Sequence, residues 1–196
     1  MKEILTIDQG TTSSRSIIFN ESLEMLRVSQ EDYDLMYPND GWVEADADKI
    51  LKSVQNTLND VLKHHKDISN IASCGITNQR ESTVIWDKLS GKAIYPVIIW
   101  QDRRTAALCN NLKEDQKLAE MVSKKTGLIL DPYFSATKIK WILDNVEGAR
   151  TKANAGELAF GTIDSFLIWN LTTVSYTHLR AHETRGNLVC RLLREK

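Results

Sequence analysis

A fold of the α/β or α+β class, built on a mixed sheet, is predicted by three observations. Short apolar runs bounded by turn residues cluster in the first thirty positions, at 4–7, 16–19 and 25–30. Further strand-like runs then alternate with apolar stripes at helical spacing. No internal repeat and no low-complexity segment interrupts the pattern.

The elements follow in order. The turn material Asn20-Glu21-Ser22 joins the second and third runs, so the opening reads as a β-meander with a glycine loop as its first turn. Over 46–65, Ile50, Leu51, Val54, Leu58, Val61 and Leu62 share one helical face, with Asp46 or Asp48 as cap. Residues 71–77 and 83–86 are strand-like, 87–92 form a turn, and 97–100 form a buried strand. Helices are expected at 104–113, at 116–125 and from Ser135, where Ile139, Ile142 and Leu143 recur at helical spacing. A strand at 158–160 and a helix at 162–171 close the series.

Composition narrows the function classes. A chain of 196 residues is enough for one domain or one lobe of a larger protein. Its 25 basic and 26 acidic residues leave a net charge of −1, so no nucleic acid and no membrane surface is an expected partner. No apolar run is long enough for membrane insertion, and Met1-Lys2-Glu3-Ile4 leads straight into a strand with no signal peptide, so a cytoplasmic location is expected. Cys74, Cys109 and Cys190 are distant and odd in number, which suits free thiols in a reducing compartment.

The stretch "IDQGTTSSR" at 7–15 carries the first chemical signal. It is neither a P-loop nor a dinucleotide fingerprint. Gly10 lets the backbone turn with its N–H groups converging, and Thr11, Thr12, Ser13 and Ser14 add hydroxyl donors, a combination that binds phosphate. Asp8 would repel that phosphate unless Mg²⁺ lay between them, since Mg²⁺ is held by one or two carboxylates, waters and phosphate oxygens. Arg15 can offset polyphosphate charge. The other reading of the same residues is a hairpin whose small polar side chains only satisfy turn geometry.

The stretch 8–15 looks like the first phosphate motif of sugar kinases in the actin/hexokinase/Hsp70 ATPase superfamily. "GWVEAD" at 41–46, "GITNQRES" at 75–82, "IIWQDRRTA" at 98–106, "TGLILDPYFSATKIKWILDN" at 126–145 and "ELAFGTIDSFLIWNLT" at 157–172 extend the likeness. Together they resemble the N-terminal part of the FGGY carbohydrate kinases, in the branch that acts on glycerol. The resemblance implies a ribonuclease-H-like domain, incomplete here, with a mixed sheet and flanking helices. It also implies ATP-dependent phosphorylation of glycerol to sn-glycerol 3-phosphate, with ATP and Mg²⁺ as cofactors and a full-length homo-oligomer.

By the same resemblance, Asp8 is the metal-side acid; Thr11, Thr12, Ser13 and Arg15 contact the nucleotide; and Arg80, Glu81, Trp100 and Tyr133 hold glycerol. The family's general-base aspartate lies beyond the matching residues, so no catalytic residue is assigned. A kinase for another polyol or sugar, or a non-catalytic actin-like nucleotide-binding module, are the alternatives.

Chemistry supports the diol assignment. Arg80 offers only donors and Glu81 only acceptors, so together they satisfy hydroxyl groups that both donate and accept. Trp100 and Tyr133 can cover the C–H edge. On spacing alone, Arg80–Glu81 also reads as a surface pair and Trp100 as core. Arg103-Arg104 reads as a solvated or structural helix start, Trp42, Trp86, Trp141 and Trp169 as packing residues, and His64-His65 as a helix end suited to the dipole. Residues 1–172 are expected to form part of the kinase N-terminal domain. The remainder, 173–196, departs from the family pattern and reads as adapter or vector read-through.

Overall fold

The opening meander forms as the sequence predicts. In the computed structural model, which describes residues 2–172, β1 (Glu3–Gln9), β2 (Ser13–Phe19) and β3 (Met25–Asp32) pair antiparallel in succession. β5 (Ile71–Asn78) adds to the other side of β1 in parallel, giving a mixed sheet of order β3-β2-β1-β5. The parallel pair needs a crossover, and α1 (Ala47–Lys63) lies on that connection. The expected 173–196 tail lies outside the described residues.

Contacts divide the chain into two units. The first comprises Met1–Asp34, Asp48–Arg80 and the chain from Ile163; the second comprises Leu35–Ala47 and Glu81–Thr162.

In the first unit, β1 and β2 alternate between a buried and a more exposed face, and Leu5 and Ile18 pack with Val61 of α1, flanked by Leu58, Leu62 and Ile71. The buried stripe of α1 is only partly apolar. Ser53 and Thr57 share it with Ile50, Val54 and Val61. Ser53 Oγ donates to Ser14 Oγ at 2.8 Å, and Ser16 Oγ lies 2.9 Å from Thr57 Oγ1, so a short ladder of hydroxyls joins β2 to the helix. The apolar helix α6 (Ile163–Thr172) packs on β5 and buries Ile163, Phe166 and Leu167. The expected alternation over 25–30 has no counterpart in burial, because Met25, Leu26 and Val28 are exposed on an edge strand.

The second unit pairs β4 (Glu44–Ala45) with β7 (Val97–Ile98), and β6 (Val84–Asp87) with β8 (Leu158–Gly161), both antiparallel. Ile85, Ile98 and Ile142 form its core. Its helices are α2 (Ala106–Glu114), α3 (Gln116–Thr126), α4 (Ser135–Asn145) and α5 (Ala149–Asn154). Asp115 caps α3 by accepting from Leu118 N, and Gly127 ends it at φ +70°, a conformation that costs glycine little.

The 97–100 strand is shorter than expected. Ile99 N still donates to the Val43 carbonyl at 3.0 Å, but Asp102 N then reaches back to Ile99 O at 3.0 Å, and this turn ends the strand before Trp100. Among the described residues no helix is long and apolar enough to cross a membrane.

Candidate functional site

The candidate phosphate loop of the first unit is narrower than the sequence suggests. Ser13, Ser14 and Arg15 belong to β2, so the turn proper is Gly10-Thr11-Thr12. Gly10 N donates to Ser13 O at 2.8 Å, and a Cβ on Gly10 would come within 3.2 Å of that oxygen, so a side chain there crowds the turn. Ser14 is fully buried against Ser53 and cannot serve as an outward donor; the period-two alternation of β2 turns its hydroxyl to the helix. Arg15 Nε and Nη2 both donate to Gln30 Oε1, at 3.0 and 2.7 Å, which commits two of its five donors to the neighbouring strand. Asp8 is exposed on β1, paired in register with Arg15 on one side and Thr77 on the other.

A buried polar network under this turn went unnoticed in the sequence. Tyr33 Oη and Gln9 Nε2 both donate to the Gly10 carbonyl at 2.5 Å. The Tyr33 oxygen in turn accepts from Gln9 Nε2 at 2.6 Å and Gln79 Nε2 at 3.1 Å, while Tyr33 N donates to Thr12 O at 2.9 Å. Both ends of the turn are therefore pinned from below. Burial pushes the Tyr33 phenol up to about 12, so it stays a neutral donor at physiological pH. The signal lay in "IDQGTT" and "GITNQRES", each of which contains one of the glutamines.

The second unit brings together three of the four residues assigned to glycerol. Glu81 opens it, directly after Arg80, the last residue of the preceding segment. Glu81 has φ +64°, a left-handed conformation uncommon for a side chain of its size. The next residue, Ser82, accepts the Trp100 N–H on its Oγ at 3.0 Å. The rings of Trp100 and Tyr133 meet edge to face with centroids 6.0 Å apart, and Phe134 continues the aromatic wall at 5.2 Å from Tyr133. Lys138 closes the circuit by donating to Tyr133 O at 2.8 Å and Glu81 O at 3.2 Å. Arg80 is exposed, at the strand end where the sequence places it. Trp100 is half-buried and so not closed core.

A charge cluster elsewhere in the second unit decides between the two readings of Arg104. Arg104 is not a solvated helix start: its side chain is 0% exposed. Its guanidinium donates to both Asp102 carboxylate oxygens and to Glu44 Oε1 at 2.7 Å, and its carbon lies 3.9 Å from the Trp42 ring centroid and 4.5 Å from that of Trp141. Asp102 Oδ2 also accepts Val43 N–H at 2.7 Å, and Tyr95 Oη donates to Glu44 Oε1 at 2.7 Å. Burial alone would lower the Arg104 pKa; hydrogen bonds to Asp102, Glu44 and Tyr95 raise it above the usual value instead. "GWVEAD", "IIWQDRRTA" and the tryptophan of "TKIKWILDN" thus meet in one buried assembly whose work is structural. His65 sits just past the end of α1, where the sequence places it, and its largely buried ring has Nε2 2.6 Å from Glu3 Oε2.

The mixed sheet with its flanking helices is the carbohydrate-kinase version of the actin/hexokinase-like fold, as the solved structures bear out. A crystal structure of Plasmodium falciparum glycerol kinase with ADP superposes with a TM-score of 0.82 at 33% identity, covering 88% of this chain and 35% of that one. Gluconate kinase from Lactobacillus acidophilus shares the fold at a TM-score of 0.73 and 20% identity, covering 86% of this chain and 32% of its own.

The chain belongs to the FGGY family of carbohydrate kinases: the pattern of that family's N-terminal domain matches residues 3–183. Among curated relatives, glycerol kinase of Alteromonas mediterranea is 56% identical over 172 residues, covering 87% of this chain and 35% of the relative. Glycerol kinase of Marinomonas sp. is 55% identical over 170 residues, covering 86% and 34%. The chain thus spans about a third of the length of the relatives it matches.

Proposed function

We propose that residues 1–172 are the N-terminal domain portion of a cytoplasmic, homo-oligomeric glycerol kinase that converts glycerol and ATP to sn-glycerol 3-phosphate. The observation that carries this reading is the closed circuit of Glu81, Ser82, Trp100, Tyr133 and Lys138, which combines an acid, an aromatic wall and fixed main-chain positions suited to a small polyol. Identity above one half to proteins named glycerol kinase supports the same substrate.

The roles follow from donor chemistry. Arg80 donates to glycerol hydroxyls and Glu81 accepts from them, so a substrate lacking a hydroxyl leaves one of the pair unsatisfied. Trp100 and Tyr133 exclude water from the carbon edge. Thr11, Thr12 and the Ser13 hydroxyl present donors to nucleotide phosphates, with Arg15 beside them. Asp8 suits Mg²⁺, because an exposed carboxylate next to a phosphate turn needs only waters and phosphate oxygens to complete a shell. That metal would supply charge neutralisation of the phosphates. Among the described residues no group of three or more acidic, histidine or cysteine side chains is placed to hold a metal ion by itself.

The test is product formation by the full-length protein that carries this sequence, with glycerol, xylulose and gluconate as competing acceptors. Preferential release of sn-glycerol 3-phosphate is expected; preferential turnover of the pentose or the acid defeats the glycerol reading. The 196-residue chain by itself should give no turnover above background.

A further inference from the structure

Glu81 and Tyr133 come from separate stretches of the second unit, and one side chain ties them together. Lys138, on α4, is 0% exposed. A buried ammonium is costly, and an apolar residue of similar length fills the same volume without that desolvation. The lysine is therefore explained by what its donors hold. They hold main-chain oxygens: Tyr133 O at 2.8 Å and Glu81 O at 3.2 Å. Ser135 Oγ, on the same helix, donates to the same Glu81 carbonyl at 3.3 Å. The bridged residue is the one with φ +64°, a conformation that persists only where its surroundings over-determine it. Asp102, Glu81 and Asp131 favour the lysine charge, and Arg104 opposes it.

We propose that Lys138 is a positioning residue for the polyol site: by bridging the Glu81 and Tyr133 carbonyls, its ammonium fixes the distance between the acid that accepts from the substrate and the aromatic wall that covers it. The inference rests on the glycerol reading of Glu81 and Tyr133 and extends it to a residue that makes no substrate contact. Its action is confined to the acceptor side. The phosphate turn has its own supports in Gln9, Tyr33 and Gln79, and these belong to a different unit.

Steady-state kinetics of the full-length protein, with glycerol and ATP varied separately, test the proposal in Lys138→Met and Lys138→Arg. The KM for glycerol should rise roughly tenfold to a hundredfold in Lys138→Met and less in Lys138→Arg, with the KM for ATP nearly unchanged, because small misplacements of contact groups cost that much. An unchanged KM for glycerol, or an equal rise for both substrates, overturns it.

Amide NMR of the 196-residue chain separates this from failure of the glycerol reading. Lys138→Met should displace the Ser82 and Phe134 amides, whose peptide bonds carry the bridged carbonyls, whatever the substrate proves to be. Unmoved amides overturn the bridge. If Lys138→Met does not fold, the wild-type coupling between the Lys138 Nζ and the two carbonyl carbons decides, and its absence counts against the proposal.

Discussion

The guanidinium carbon of Arg104 lies 3.9 Å from the centroid of the Trp42 ring, while its nitrogens bind Asp102 and Glu44. A cation held at once by stacking and by two buried carboxylates cannot be removed without stranding both acids. Arg104→Ala is expected to destabilise the chain by about 3–5 kcal/mol, the range for breaking a buried pair. Arg104→Lys should recover only part of this, since an ammonium neither forks nor stacks in the same way. Urea denaturation followed by tryptophan fluorescence reads both, because Trp42 and Trp141 line the site.

Tyr33→Phe removes the hydroxyl that joins Gln9, Gln79 and the Gly10 carbonyl. A loss of about 1–3 kcal/mol is expected from the amide groups left behind. The wild type should also lose stability relative to Tyr33→Phe as pH rises from 10.0 to about 12, because the unfolded phenol ionises in that window while the folded one keeps its proton. Difference absorbance of the tyrosinate checks this directly, and a Tyr33 that titrates with the exposed tyrosines refutes it.

At position 81 the usual order of alanine and glycine should invert. Because φ is +64°, Glu81→Gly is expected to be more stable than Glu81→Ala by about 1 kcal/mol. Both variants lack the carboxylate, so both should lose glycerol affinity. Parallel thermal melts and glycerol titrations would expose any departure.

Burial holds the Lys138 pKa down to about 8 from 10.5. Between those values the unfolded state binds more protons than the folded one, so this group makes stability rise with pH across that range and fall as pH drops through 8. Lys138→Met should remove that slope. Chemical denaturation of both proteins at several pH values measures it, and identical slopes would contradict the assignment.

How much of this was legible in the sequence depends on what each residue does. The first two strands and α1 were readable because Leu5, Ile18, Val54 and Val61 face a core at regular spacing. β4 was not, since it consists only of Glu44 and Ala45 and its strand partner, Val97–Ile98, lies about fifty positions further on. α5 follows a left-handed Gly148 and buries only Ala149, so it shows no apolar stripe. Among the assigned residues, Asp8, Arg80, Glu81, Trp100 and Tyr133 are proposed to act through their own side chains, whose chemistry a sequence shows. Lys138, Tyr33 and Gln79 act on main-chain oxygens set by tertiary contact, which leaves no local pattern.

The order in which the chain visits its two units has a consequence for synthesis. The second unit lies within the chain, between Asp34 and Ile163, whereas the first receives α6 only after it. On a ribosome, the β6–β8 ladder and the Arg104 cluster can therefore close before α6 has emerged. Until then, the surface of β5 that α6 covers stays open, and it is closed only when that helix docks.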